Sequence, residues 1–215
     1  MQRFYFLFSI IFILLTLVVL YYKGYLNVYY INVSNRSDIQ KYMQSTYTGK
    51  LFFLNFNKKN VEENVKKLFS DVEKIEIYRR YDFGLNVIIK EREPFAKNDD
   101  NIYISNNGFV YTTSRKYKQN LPLYTGNSSI GETVLSKDEI FFIKSLSIYP
   151  NFEINISNSK FVLNTKEGYY IEVSDNIENL KNMSDPLNKV LAKLKNEDQK
   201  NTNIVVLSNK IVLKN

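Results

Sequence analysis

The sequence predicts an α+β protein with an N-terminal transmembrane helix, a small first domain and a second, mixed β-sheet domain. Three observations predict this class. The segment from Phe4 to Tyr22 is apolar and uncharged. After it, amphipathic helical segments alternate with short segments rich in β-branched and aromatic residues. Finally, 44% of the residues are hydrophobic and only 24% are charged, as in folded chains and unlike disordered ones.

The uncharged segment from Phe4 to Tyr22 approaches the roughly 20 apolar residues that a bilayer core requires. A cleavable signal peptide would have a shorter apolar region followed by small residues, whereas Lys23 and a tyrosine-rich flank follow here. We therefore expect a retained single-pass anchor. A short N-terminal tail before a long following region favours a cytoplasmic N-terminus. The tail, the helix and a linker occupy residues 1–27.

Residues 28–95 are predicted to begin with a strand and two helices. Val28 to Val33 is β-branched and aromatic, as in a strand. Ser37 and Gln40 form a capping-box pattern for the first helix, which precedes a short apolar connector, Leu51 to Phe56. Asn57 is placed to cap the second helix. Apolar residues repeat at i, i+4 and i+7 along that helix: Val61, Val65 and Leu68.

Two strands complete this first domain. They run from Val72 to Arg80 and from Leu85 to Glu91, and a turn that contains Gly84 joins them. The domain therefore has the predicted order strand, helix, helix, strand, strand.

Residues 96–215 are dominated by short strands, with two or three helices. Asn107-Gly108 is the strongest short-range hairpin signal. Ser136 and Glu139 form a capping box before another helix. A helical stretch from Asp175 is interrupted at Pro186, which fits the first position of a new helix. Further strands are expected at Phe152 to Ile156, Phe161 to Thr165 and Tyr169 to Val173, and a final strand or hairpin at Asn203 to Leu213.

The composition excludes several kinds of active site. The chain has no Cys and no His, so it has no disulfides, thiolate nucleophiles or histidine bases and none of the usual zinc ligand sets. Ser157 and Lys160 match the S-x-x-K spacing of penicillin-recognising enzymes, but they lie in a predicted turn without the companion motifs. Glu91 and Glu93 are two residues apart in an exposed strand end, where a structural role is favoured. We expect no catalytic residue, cofactor or metal.

The net charge of +7 comes from scattered basic pairs rather than from one block. Tyr78-Arg79-Arg80-Tyr81 interleaves basic and aromatic residues, as single-stranded nucleic-acid binders do, but a solvated hairpin end is the simpler interpretation. Attraction to anionic lipid or to an acidic partner is the functional alternative.

The order of these elements and several motifs resemble one bacterial family. The predicted unit from Val28 to Glu91, directly after an anchor and ending in Glu91-Arg92-Glu93-Pro94-Phe95-Ala96, resembles the POTRA domain of the cell-division family FtsQ/DivIB, whose strand typically ends E-R-x-P-x-A. Leu121-Pro122-Leu123-Tyr124-Thr125-Gly126 is similar to its L-P-x-x-x-G. Residues 161–173 are similar to its W-x-L-x-L-x-x-G-x-x-V-x-L stretch, and residues 103–111 to its hydrophobic hairpin. The closing segment lacks the family's acidic-x-Arg pattern.

The resemblance implies a non-enzymatic scaffold of the divisome in the inner membrane, enriched at the septum, with its C-terminal domains outside the cytoplasm. Its partners would be FtsB/DivIC-like and FtsL-like proteins and the septal peptidoglycan synthase complex, with no nucleic acid and no small-molecule substrate. A terminal strand with an unpaired edge suits binding of an FtsB/DivIC-like strand. The alternatives are a POTRA module of protein export or outer-membrane assembly, and a membrane-anchored cell-wall enzyme. The residues expected to bind the partner are Val205, Leu207, Ser208, Asn209 and Ile211.

Overall fold

The predicted α+β class is confirmed in a computed structural model that describes residues 2–23, 27–50, 57–98, 100–117, 120–126, 128–157, 160–174, 180–207 and 210–214. These residues contain five α-helices and two β-sheets with both parallel and antiparallel strand pairs. The chain divides into two compact units, Met1–Glu91 and Arg92–Asn215. The sequence places the division four residues later, because it does not reveal that Pro94–Lys97 is a strand of the second unit.

Helix α1 spans Gln2–Tyr22 and has the length and composition of a membrane span. None of the span Tyr5–Tyr22 is buried inside the protein, so its apolar side chains are accessible to lipid. Two hydroxyls in it, those of Ser9 and Thr16, donate to backbone carbonyls four residues earlier. These bonds satisfy polar groups that lipid would leave unpaired.

The first unit continues with β1 (Tyr30–Val33), α2 (Ser37–Tyr47), α3 (Lys58–Leu68), β2 (Val72–Arg79) and β3 (Gly84–Glu91). The strand order is β1-β3-β2, with β1 parallel and β2 antiparallel to β3. The helices and the sheet share a core of side chains that are at most 3% exposed: Ile31, Ile39, Met43, Val61, Val65, Val72, Ile75, Leu85 and Val87.

The two helix starts of this unit differ in how they are capped. Asn57 caps α3 as predicted, since its side chain accepts from the backbone N–H groups of Lys59 and Asn60. The capping box predicted at Ser37 and Gln40 is wrong. The helix begins one residue earlier than predicted, with Arg36 as its N-cap, and the Gln40 N–H donates to the Arg36 carbonyl (2.9 Å). The Arg36 guanidinium has no acceptor atom and makes no side-chain capping bond. The predicted connector from Leu51 to Phe56 lies outside the described residues.

A partly buried ion cluster lies at the end of the first unit where α2 begins. The Arg36 guanidinium is within 3.0 Å of the carboxylates of Asp38, Asp71 and Glu91. The hydrogen bond to Asp38 and the other two carboxylates raise the pKa of Arg36, against the effect of burial. The same guanidinium lowers the pKa of Asp38 to about 2. The cluster joins the start of α2, the loop before β2 and the end of β3.

The second unit is built on one nine-stranded sheet whose order is β12-β11-β10-β9-β8-β7-β4-β5-β6. Its strands are β4 (Pro94–Lys97), β5 (Ile102–Ser105), β6 (Val110–Thr112), β7 (Leu123–Gly126), β8 (Phe152–Ser157), β9 (Lys160–Thr165), β10 (Tyr170–Val173), β11 (Asn203–Val206) and β12 (Ile211–Lys214). The predicted Asn107-Gly108 turn joins β5 to β6, with Gly108 at φ 80°.

Two helices, α4 (Lys137–Lys144) and α5 (Ser184–Asn196), pack on one face of this sheet, and a 3-10 helix (Leu180–Met183) precedes α5. The capping box at the start of α4 is confirmed. Pro186 lies in the first turn of α5 rather than at its first position, and it is tolerated there because first-turn N–H groups lack helical partners. The predicted helix start at Asp175 lies outside the described residues.

The core of the second unit lies between these helices and the sheet. Strand residues that share a face by register contribute one side of it: Ile154, Leu163, Ile171 and Ile204. The helices contribute the other: Ile140, Ile143, Leu187, Leu191 and Leu194. The β11–β12 hairpin is therefore attached to a sheet that is well packed on one face.

Candidate strand-binding edge

The last hairpin of the described chain ends the nine-stranded sheet. Strand β11 is an interior strand, because it pairs in parallel with β10 on one side and antiparallel with β12 on the other. Among the described strands, β12 has a neighbour on one side only. The candidate binding edge is therefore β12, Ile211–Lys214.

The hydrogen bonds around the hairpin show which backbone groups of β12 face outward. The Leu207 N–H donates to the Lys210 carbonyl (2.9 Å), so Leu207 and Lys210 face each other as a bonded pair. On the other side of β11, the Ser174 N–H donates to the Val206 carbonyl (3.1 Å). Because bonding direction alternates along a strand, Ile211 and Leu213 point their N–H and C=O groups away from β11. An added strand would pair with these four groups.

The side chains of β12 give this edge apolar character on both faces of the sheet. Ile211 lies opposite Val206 and packs against the core of the unit. Leu213, opposite Ile204, is 45% exposed. On the other face, Val212 lies opposite Val205. A shallow depression beside it is lined by Tyr170, Glu172, Asn203, Val205 and Lys214.

The opposite edge of the sheet, β6, is covered. The Val110 N–H donates to the Glu132 carbonyl (2.8 Å), and the Gly131 N–H donates to the Val110 carbonyl (2.9 Å). Phe109 also forms a bridge with Thr133. Exposed edges invite pairing with other chains, and native proteins usually cover them. Among the described residues of this sheet, β12 is the end strand beside which no further segment is paired.

The described residues among those predicted to bind the partner lie at different places in the β11–β12 hairpin. Val205 is 8% exposed and lies on interior strand β11, which is paired with a neighbouring strand on each side. Leu207 follows β11 and is half-buried, and Ile211 begins the edge strand. Ser208 and Asn209 lie outside the described residues.

Sequence reasoning did not single out Val212 and Leu213, which lie on the edge strand itself. The run Ile211-Val212-Leu213 is apolar and rich in β-branched residues, which predicts a strand. It did not distinguish one long closing strand from a hairpin, and only the hairpin puts β12 at the edge.

The other candidate residues are engaged in structural contacts. Ser157 and Lys160 face each other in the β8–β9 hairpin rather than at a helix start. Glu91 accepts a hydrogen bond from Arg36 and Glu93 accepts one from the Asn106 amide (3.0 Å for each). Within the described ranges, no group of three or more Asp or Glu side chains is arranged to hold a metal ion.

No family model matches the sequence, and no curated protein matches it.

Proposed function

We propose that this protein is a single-pass membrane scaffold of bacterial cell division, of the FtsQ/DivIB type, which binds a partner by adding a strand to β12. The open backbone edge at Ile211 and Leu213 carries this proposal. A strand that pairs there gains main-chain hydrogen bonds, and its alternate side chains meet the apolar surface of the hairpin and so set specificity.

The membrane helix gives this edge its context. A partner held in the same bilayer by its own helix meets the edge at a high effective concentration, so a modest edge affinity is sufficient. FtsB/DivIC-like and FtsL-like proteins, which are single-pass division proteins, suit this arrangement. In this proposal the N-terminus is cytoplasmic, both folded units are outside the cytoplasm, and the protein is enriched at the septum.

The resemblance of residues 28–91 to a POTRA domain supports a second, membrane-proximal interaction module. The first unit has the strand and helix order on which that resemblance depends. A scaffold of this type controls septal peptidoglycan synthesis through its partners and needs no catalytic group of its own. The hydrogen bonds made by Glu91 and Glu93 agree with a structural role for both carboxylates.

Depletion of the protein in its native cell tests the proposed role. We expect filaments with segregated chromosomes, because septal wall synthesis fails while growth and DNA replication continue. Cells that divide normally after depletion would exclude a role in division. Replacing Glu91, Glu93, Ser157 and Lys160 together by Ala provides the matched enzymatic control. Loss of wall synthesis in that variant, with folding and partner binding retained, would favour a cell-wall enzyme instead.

A further inference from the structure

The start of β1 is the first strand position after α1 in the sequence. Strand pairing brings the start of β3 and the end of β2 to the same end of the first unit. Tyr30 at the start of β1 pairs with Gly84 at the start of β3, and Arg79 at the end of β2 pairs with Leu85. The segment after α2 reaches the same end, since the Val28 N–H donates to the Lys50 carbonyl (2.9 Å). We call this the anchor-proximal end, and residues 79–83 its hairpin tip.

The length of the linker limits how far this end can lie from the end of α1. Tyr30 comes eight residues after Tyr22, the last residue of α1. A fully extended chain of that length spans at most about 29 Å. If α1 crosses the membrane, the start of β1 and the hairpin tip beside it cannot lie far from the lipid head groups.

Exposed tyrosines mark the anchor-proximal end. Tyr81, in the middle of the hairpin tip, is 93% exposed, and Tyr78 and Tyr29 are about half exposed. Tyrosine has an apolar ring and a polar hydroxyl, which suits the boundary between acyl chains and water.

The charges of the first unit are unevenly distributed between its two ends. Basic residues at or leading to the anchor-proximal end are exposed: Lys23, Lys50, Arg79 and Arg80. The carboxylate of the hairpin tip, Asp82, accepts from the Tyr30 hydroxyl and from Arg80. The opposite end holds the Arg36 cluster with its three carboxylates, and also Lys67 and the Lys90–Glu73 ion pair. The end nearest to the anchor is therefore the more basic one.

The conformation of the hairpin tip holds its exposed ring outward. The Arg80 N–H donates to the Gly84 carbonyl (2.9 Å) and closes a short turn. Phe83 has a φ of 58°, a left-handed conformation that costs a bulky residue energy and a glycine little. Phe83 packs against the core of the unit and contacts the Tyr29 ring edge-on, with 6.3 Å between centroids. The packing of Phe83 thus fixes the turn against the core of the unit, and the Tyr81 side chain extends into solvent.

From these observations we infer that the anchor-proximal end rests on the surface of the bilayer that α1 crosses, where it binds anionic phospholipid. Arg79 and Arg80 contact the phosphates and Tyr81 enters the head-group region. Basic residues next to a membrane are attracted by its negative surface potential, which agrees with the charge distribution of this unit. The contact fixes the orientation of the first unit relative to the membrane. This inference rests on the membrane-spanning role of α1 but not on the identity of any protein partner.

The chain lacks tryptophan, so single-tryptophan variants report individual positions without background. Three variants of the full-length protein are placed in nanodiscs of phosphatidylcholine brominated near the head group, with or without phosphatidylglycerol. Tyr81→Trp reports the hairpin tip and Tyr22→Trp reports the anchor. Leu68→Trp, an exposed apolar position at the opposite end of the same unit, is the control.

We expect bromine to quench Tyr81→Trp about twofold more strongly in discs with phosphatidylglycerol than in discs without it, because the basic residues are attracted to a negative surface. Leu68→Trp should stay unquenched in both. Adding Arg79→Gln and Arg80→Gln to Tyr81→Trp should remove the difference in quenching between discs with and without phosphatidylglycerol. The matched pair Lys67→Gln and Lys90→Gln, two exposed cations at the opposite end, should leave it unchanged.

Three outcomes would overturn the inference. Quenching of Tyr22→Trp with Tyr81→Trp as unquenched as Leu68→Trp would place the anchor in the bilayer and the hairpin tip away from it. If the Tyr81→Trp fluorescence stays unquenched by bromine and shifts to shorter wavelength only after a protein partner is added, the hairpin tip binds that partner and not the lipid. An unquenched Tyr22→Trp would show that α1 does not enter the bilayer, which would refute the membrane anchoring of the proposed function as well.

Discussion

Leu213→Pro is expected to block strand addition at β12 and leave the fold intact. The Leu213 N–H points away from β11, so proline removes a donor that only a partner would use. The lost bond costs about 1 kcal/mol, and the partner carbonyl left without a donor costs about 1–3 kcal/mol more. Binding should therefore weaken by about 30-fold to about 1,000-fold.

Two further variants separate the backbone effect from other effects. Val212→Pro removes an N–H that faces β11, so it should destabilise the hairpin by about 1–3 kcal/mol. Leu213→Ala keeps the outward N–H and should weaken binding only through the loss of apolar contact. The assay is titration of the detergent-solubilised full-length chain with an FtsB/DivIC-like protein from the same cell, alongside thermal unfolding of each variant.

The proposed binding mode would be refuted if Leu213→Pro bound the partner as well as the unmodified chain did. It would also be refuted if Leu213→Pro and Leu213→Ala weakened binding equally, since that result would assign the effect to the side chain. If Leu213→Pro lowered the unfolding temperature as much as Val212→Pro, that result would contradict the assigned direction of the backbone groups.

Three predictions concern the stability of the two units. Arg36→Met removes the cation that bonds to both Asp71 and Glu91, so it should lower the free energy of unfolding by about 3 kcal/mol or more in chemical denaturation. The pKa of Asp38 is lowered to about 2 in the folded state, from about 3.9 when unfolded, so the stability that it contributes is present above about pH 4 and is lost as the pH falls towards 2. Asp38→Asn should reduce that pH dependence, measured as the difference in denaturation midpoint between about pH 5 and about pH 2.5, and an unchanged difference would contradict the assigned cause. Gly108→Ala would bring a Cβ atom to within 1.6 Å of the Leu135 carbonyl oxygen at a φ of 80°, so we expect loss of the second unit's cooperative unfolding transition, whereas an unchanged transition would show that the turn adapts.

The sequence predicted the features that depend on neighbouring residues. The apolar helix, the Asn57 cap, the Asn107-Gly108 turn and the Ser136 capping box each require partners only a few positions away. The chemistry of such short segments is the same in any fold, so their residues suffice to predict them. The prediction at Ser37 failed because the helix starts one residue earlier, so the Gln40 N–H that Ser37 would cap bonds to the Arg36 carbonyl instead.

Only the tertiary structure decided what the hairpin at the C-terminal end of the chain can do. The apolar residues of β11 and β12 follow similar patterns, and nothing local distinguishes an interior strand from an edge strand. That difference depends on pairing with β10, a strand about 30 residues earlier in the chain. The cover over β6 and the ion cluster around Arg36 likewise join residues that are distant in sequence. The sequence by itself therefore determined the apolar N-terminal helix and the local signals. Long-range pairing decided which of the described strands lies at the edge of the sheet, because hydrogen-bond partners between distant segments are set by the fold and not by neighbouring residues.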